Sequence, residues 1–206
     1  MINANGVRRD IVTIGASAGG IEALMYLFAK LPPRLPSAIA VVVHRSPVLE
    51  TRLPWVLGRR AGIPVLEPTD GQRFEPGRIY AAPRDQHLVL EDSVVRLNRW
   101  PKEHRTRPAV DPLFRSAAEV YGPRVVGVLL SGFGDDGVSG LIAITDRGGI
   151  SIVQDPREAR HDSMPRNAIA EDDVDAVLSL DGIAAALVAL ASGHPFEARQ
   201  PDERAV

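Results

Sequence analysis

The sequence predicts a three-layer α/β/α fold, doubly wound around a mostly parallel sheet with a small antiparallel addition. Three observations predict it. A short β-branched run at 10–14, an all-apolar run at 38–43 and further strand-like runs at 125–130 and 149–153 read as buried strands, the second covered on both faces. Stretches with apolar residues at helical spacing separate several of these runs, so the strands connect by crossovers and lie parallel. Finally, Gly15-Ala16-Ser17-Ala18-Gly19-Gly20 joins the first strand to the first helix through small residues, which allows a very sharp turn.

In chain order, residues 1–9 are polar and expected to be flexible. Strand one covers 10–14. The helix over 20–30 carries Ile21, Leu24, Met25, Leu27 and Phe28 on one face. Leu31-Pro32-Pro33-Arg34-Leu35-Pro36 ends it. Strand two, 38–43, stops at His44. Residues 51–61 read as a helix with Thr51 as N-cap and Gly62 as its stop. Short runs at 63–66, 78–82, 87–90 and 94–97 read as a small antiparallel or mixed addition at one edge. A basic loop, 99–107, follows. Asp111-Pro112 opens a helix to Tyr121, with Asp111 as N-cap. The strand over 125–130 closes on Ser131-Gly132-Phe133-Gly134-Asp135-Asp136-Gly137. A helix over 138–147, a strand over 149–153, a short helix over 165–170, a short strand over 176–178 and a helix over 182–191 capped by Asp181 complete one domain, 10–192. Residues 193–206 are charged, contain proline and are expected to be flexible.

Composition narrows the function. The chain has 206 residues, 45% of them hydrophobic and 24% charged, the profile of a globular domain with a real core. A net charge of -2 argues against general nucleic-acid binding. Cysteine is absent, which removes disulfides, thiolate metal sites and a cysteine nucleophile. The N-terminus lacks a signal core and no apolar run is long enough to insert in a membrane, so a cytoplasmic protein is expected.

In open parallel sheets, chemistry sits beyond the carboxyl ends of the strands, near the switch point. Those ends hold Ser17, His44 and the Asp135/Asp136 pair: a hydroxyl, an imidazole and a carboxylate. Other readings exist. The glycine turn loosely fits a dinucleotide fingerprint, but the acidic residue expected at the end of strand two is replaced by His44. Gly15-Ala16-Ser17-Ala18-Gly19 fits the nucleophile elbow of α/β-hydrolases, yet the order Ser, His, acid is not theirs. Ser17 and the aspartates are also good helix caps. A metal held by His44, Asp135 and Asp136 is possible by ligand type, but the small-residue turn gives no reason for one.

Four dispersed motifs carry a more specific resemblance: Ile14-Gly15-Ala16-Ser17-Ala18-Gly19-Gly20, the strand ending in His44, Leu129-Leu130-Ser131-Gly132-Phe133-Gly134-Asp135-Asp136-Gly137, and Met164-Pro165-Arg166. Ala82-Pro83-x-Asp85-x-His87 and Arg107-Pro108-x-Val110-Asp111-x-Leu113-Phe114 agree with it. Together they resemble the catalytic domain of CheB-type chemotaxis methylesterases, the protein-glutamate methylesterase/glutaminase family.

The resemblance implies Ser17 as nucleophile, His44 as general base and Asp136, rather than Asp135, as the acid that orients the imidazole. It places the oxyanion and substrate contacts around Ala18, Gly19 and Phe133. It implies no cofactor and no metal. The implied substrate is the cytoplasmic helical bundle of a methyl-accepting chemoreceptor. Arg99, Lys102, Arg105 and Arg107 read first as a solvated basic loop and second as a strip facing an acidic receptor surface. Many relatives carry threonine at Ala18 and methionine at Phe133. CheB proteins commonly place a receiver domain ahead of the esterase domain. Strand one begins near residue 10 here, so no receiver domain is expected: the sequence is either an excised domain or a stand-alone protein. A stand-alone protein is expected to be constitutively active, regulated in trans or part of another signalling system. His87, His104, His161 and His194 read as loop or strand-edge residues without a catalytic role. The rival class is a non-catalytic or nucleotide-binding Rossmann-like module.

Overall fold

The structure, a computed structural model, describes residues 7–45 and 52–196. Arg9 anchors the entry. Its buried guanidinium donates to the Gly148 carbonyl at 2.7 Å and to the Pro123 carbonyl, and its N–H reaches the Leu190 carbonyl at 3.1 Å.

β1 (Ile11–Ala16) turns into α1 (Gly20–Lys30), and β2 (Ala38–Val43) follows. The chain continues through α2 (Leu53–Gly58), β3 (Val65–Leu66), β4 (Arg78–Ala81), β5 (His87–Glu91) and β6 (Val94–Asn98). α3 (Val110–Tyr121), β7 (Val125–Leu129), α4 (Val138–Asp146) and β8 (Ile150–Gln154) come next. α5 (Ser163–Glu171), β9 (Ala176–Leu178) and α6 (Leu180–Ala191) close the domain.

Seven strands form one sheet in the order β3-β4-β2-β1-β7-β8-β9, every pair parallel. β5 and β6 form a separate antiparallel ribbon. The expected edge addition is therefore corrected: 63–66 and 78–82 contribute β3 and β4 to the parallel sheet, and only 87–90 and 94–97 pair as a hairpin. Ile79 and Tyr80 are buried, which joins β4 to the core rather than to the hairpin.

The sheet has a core on each face. Val12, Ile14 and Ala16 pack with Leu24, Leu27 and Phe28 of α1 and Leu187 and Leu190 of α6. Ile11 lies on the other face with Val110 and Phe114 of α3 and Leu141 and Ile144 of α4. α1 and α4 therefore leave β1 and β7, neighbours in the sheet, toward opposite faces. The crevice between their starting loops is the switch point where such sheets hold their sites. Gly15 lets α3 come close: a Cβ there would stand 2.4 Å from Val110 Cγ1.

Two helix starts differ from expectation. Ala109, not Asp111, is the N-cap of α3, and Asp111 is buried in its first turn. Ser179, not Asp181, caps α6, its hydroxyl accepting from Gly182 N–H at 3.1 Å. Thr51 lies outside the described residues, and the helix it was expected to start spans Leu53–Gly58.

Candidate active site

The switch point holds the three side chains expected there. β1 ends at Ala16, so Ser17 begins the turn, its N–H tied to the Ser131 carbonyl at 3.0 Å. β2 ends at Val43, and the His44 N–H extends the ladder to the Ala16 carbonyl at 3.0 Å. The imidazole thus stands directly beside the serine turn. His44 Nδ1 lies 3.1 Å from Ser17 Oγ, and His44 Nε2 lies 2.6 Å from Asp136 Oδ2. In the neutral ring, Nε2–H donates to Asp136 and Nδ1 is left to accept from the serine hydroxyl.

Asp136 is 1% exposed, and both of its oxygens are engaged. Oδ2 accepts from Val110 N–H at 2.7 Å and Oδ1 from Asp111 N–H at 3.0 Å. These are donors at the start of α3, where negative charge is favoured. Burial pushes this carboxyl pKa up, but His44 and the two N–H groups outweigh it and hold it below the ordinary carboxylate value. The acid stays ionised.

Asp111 returns the favour. Its Oδ1 accepts from Gly137 N–H at 3.1 Å and Gly140 N–H at 2.8 Å, at the start of α4. Each helix is capped by a carboxylate that belongs to the other's leading segment. Sequence reading missed this because the partners are 25 to 29 residues apart.

Ala18, Gly19 and Phe133 line the same rim. Gly19 is the left-handed N-cap of α1 (φ 74°), which leaves the helix start without a side-chain cap. The Ala18 carbonyl accepts from Ser131 Oγ at 2.8 Å, and no acceptor for the Ala18 or Phe133 N–H is found among the described residues. Such N–H groups beside a hydroxyl suit an oxyanion. Phe133 is exposed, its ring 4.4 Å from the His161 ring.

Ser131 and Gln154, also missed, hold this wall. Gln154 Oε1 accepts from Ser131 N–H at 2.9 Å, and Ser131 Oγ accepts from His161 N–H at 3.0 Å. Gly132 leaves no room between Met164 and the serine: a Cβ there would lie 2.7 Å from Ser17 Cβ. The Met164 side chain can swing aside, whereas Ser17 Cβ rides on the backbone. Gly132→Ala is therefore expected to cost about 1–3 kcal/mol of stability, read from urea midpoints.

The other expectations divide. Arg107 is not part of an open basic strip: its guanidinium grips Asp85 Oδ1 at 2.7 Å and the Trp100 carbonyl at 2.9 Å. His87 opens β5 of the hairpin and is buried, Nδ1 accepting from Ala109 N–H at 3.2 Å and Nε2 facing the Pro101 carbonyl at 3.0 Å. The Asp85, His87 and Arg107 motifs thus tie down the segment that leads into α3. His104, by contrast, reaches the acid end of the site.

Residues 12–187 match the family described as CheB methylesterase. The chain is 41% identical over 184 residues to protein-glutamate methylesterase/protein-glutamine glutaminase 2 of Anaeromyxobacter dehalogenans, covering 89% of this chain and 54% of that one. It is 38% identical over 179 residues to protein-glutamate methylesterase/protein-glutamine glutaminase of Pyrococcus abyssi, with 85% and 49% covered. The chain thus spans about half the length of these relatives. The crystal structure of the Thermotoga maritima CheB methylesterase catalytic domain superposes with a TM-score of 0.84 at 34% identity, covering 88% of this chain and 98% of that one.

Proposed function

The chain belongs to the CheB methylesterase family, and on that premise we propose that it is a serine hydrolase removing methyl esters from glutamate side chains of chemoreceptors. Ser17, His44 and Asp136 form its triad. The observation that carries this reading is the His44 ring, bonded on one side to a serine hydroxyl and on the other to a buried, ionised carboxylate.

Ser17 Oγ attacks the γ-carbonyl while His44 Nδ1 takes its proton, since a serine hydroxyl is a weak nucleophile without a base. Asp136 fixes the tautomer and stabilises the imidazolium. The N–H groups of Ala18, Gly19 and Phe133 receive the oxyanion. Collapse expels methoxide, which leaves as methanol with the proton from His44. Water, deprotonated by the same nitrogen, then releases glutamate from the acyl-enzyme. A glutamine side chain entering the same steps loses ammonia in place of methanol.

The proposed substrate is the cytoplasmic helical bundle of a methyl-accepting receptor, which places the enzyme in the cytoplasm. Among the described residues no helix is long and apolar enough to cross a membrane. The mechanism draws on no cofactor and no metal. A regulator acting in trans is proposed to set its activity. The test is release of labelled methanol from receptor-bearing membranes methylated in advance. Release above the no-enzyme rate is expected, and none would overturn the reading.

A further inference from the structure

His104 is outside the triad, yet it touches the layer that holds the acid. Its Nδ1 stands 3.0 Å from Asp135 Oδ1 and its Nε2 2.9 Å from Asp111 Oδ2, with Asp136 Oδ1 at 4.0 Å. A neutral imidazole offers one N–H and one lone pair. Carboxylates opposite both nitrogens leave a lone pair facing an anion unless the ring carries both protons. The short turn that presents the ring is itself tied, Thr106 N–H to the Glu103 carbonyl at 2.8 Å, and His104 takes a left-handed backbone (φ 48°) within it. A non-glycine residue in that region costs free energy and persists only where its surroundings require it.

We propose that His104 is a positioning residue for the triad acid: as an imidazolium it bridges Asp111 and Asp135, closing the turn that carries Asp136 against the start of α3. The proposal rests on Asp136 being that acid.

The layer explains why such a bridge is useful. Asp135, Asp136 and Asp111 crowd three carboxylates into adjacent positions. The groups facing the ring are Asp111 from α3 and Asp135 and Asp136 from the turn after β7. The nearest cation besides His104 is Arg115, 3.8 Å from Asp111 Oδ2 but shared with Glu103 at 2.7 Å. Asp135 is exposed, and among the described residues its one side-chain hydrogen bond is to His104. Without the bridge, the turn keeps Asp136's bonds to α3 and His44, the Gly137 N–H bond to Asp111 and the Asn167 amide on the Gly134 carbonyl. Asp135, however, loses its tie to the start of α3. The ring's partial burial disfavours its charge, but Asp136, Asp111 and Asp135 together raise its pKa above the ordinary 6.5. The bridge is therefore closed below that raised value and opens as pH rises through it.

The experiment measures kcat and KM for methanol release by the full chain from about pH 6 to about pH 10, the span over which a raised histidine titrates. It compares wild type, His104→Gln and Asp135→Asn, and follows the His104 ring by NMR titration. In wild type, kcat is expected to fall as the ring deprotonates. Asp135→Asn, which removes one carboxylate, moves that fall to lower pH. His104→Gln lowers kcat roughly tenfold, short of the ~10² that a full 1 Å misplacement costs, and shows no such fall, with KM within about twofold. An unchanged kcat or the same alkaline fall in His104→Gln overturns the proposal, as does a ring that titrates at or below 6.5. A wild type that releases no methanol sinks the triad reading and this proposal with it. A working wild type with an unaffected His104→Gln sinks this proposal alone.

Discussion

Ser17→Ala is expected to reduce methanol release roughly 10⁶-fold, the scale of loss when a triad nucleophile is removed, leaving only what binding and the oxyanion donors supply. The substitution removes one atom that makes a single side-chain bond, to His44 at 3.1 Å. Ser17 is held instead by its backbone, whose N–H reaches Ser131 and whose carbonyl accepts from Gly20 at 2.9 Å. His44 stays bonded to Asp136, and its partly exposed ring can turn its free nitrogen to water. Thermal unfolding should thus shift little while turnover vanishes. That pairing separates a lost nucleophile from a lost fold. Undiminished release by Ser17→Ala would reject the covalent route.

The second large effect distinguishes two adjacent carboxylates. Asp136→Asn is expected to lower turnover by about 10⁴-fold, because an amide cannot stabilise the imidazolium and can favour the wrong tautomer. It should also destabilise the protein by roughly 1–3 kcal/mol, since one amide end must face a backbone N–H that it cannot accept. Asp135→Asn should change turnover at neutral pH by at most about fivefold, matching the ~1 kcal/mol ceiling of an exposed ion pair. Rates and urea midpoints for the two variants decide the matter. A larger loss in Asp135→Asn would move the acid one position along the chain.

The sheet was legible because its strands are buried on both faces, so β2 and β7 appear as unbroken apolar runs and β1 and β8 as mainly apolar ones, each broken only by buried polar residues. Ser17 and His44 could be placed together because each directly follows such a run. β3 and β4 were harder. β3 is only two residues long and half-buried, and nothing local tells a parallel edge partner from a hairpin strand. The start of α3 was misplaced for a different reason. Asp111 followed by proline satisfies every local rule for an N-cap, but the anion that caps this helix comes from Asp136, which no window around residue 111 contains. His104 was passed over for the same cause, its meaning residing in partners 7 and 31 residues away. Arg107 looked like surface charge because Asp85 lies 22 positions back. What sequence hides here is the long-range polar contact.

The reciprocal caps of α3 and α4 give Asp136 a structural role whatever its chemistry. A descendant released from selection for turnover could discard its alcohol at position 17 almost without penalty, whereas losing the carboxylate at 136 would strip the start of α3 of its anion. Among diverged copies of this domain, an intact acid therefore says little about whether the enzyme still works, and the fate of the serine says nearly everything.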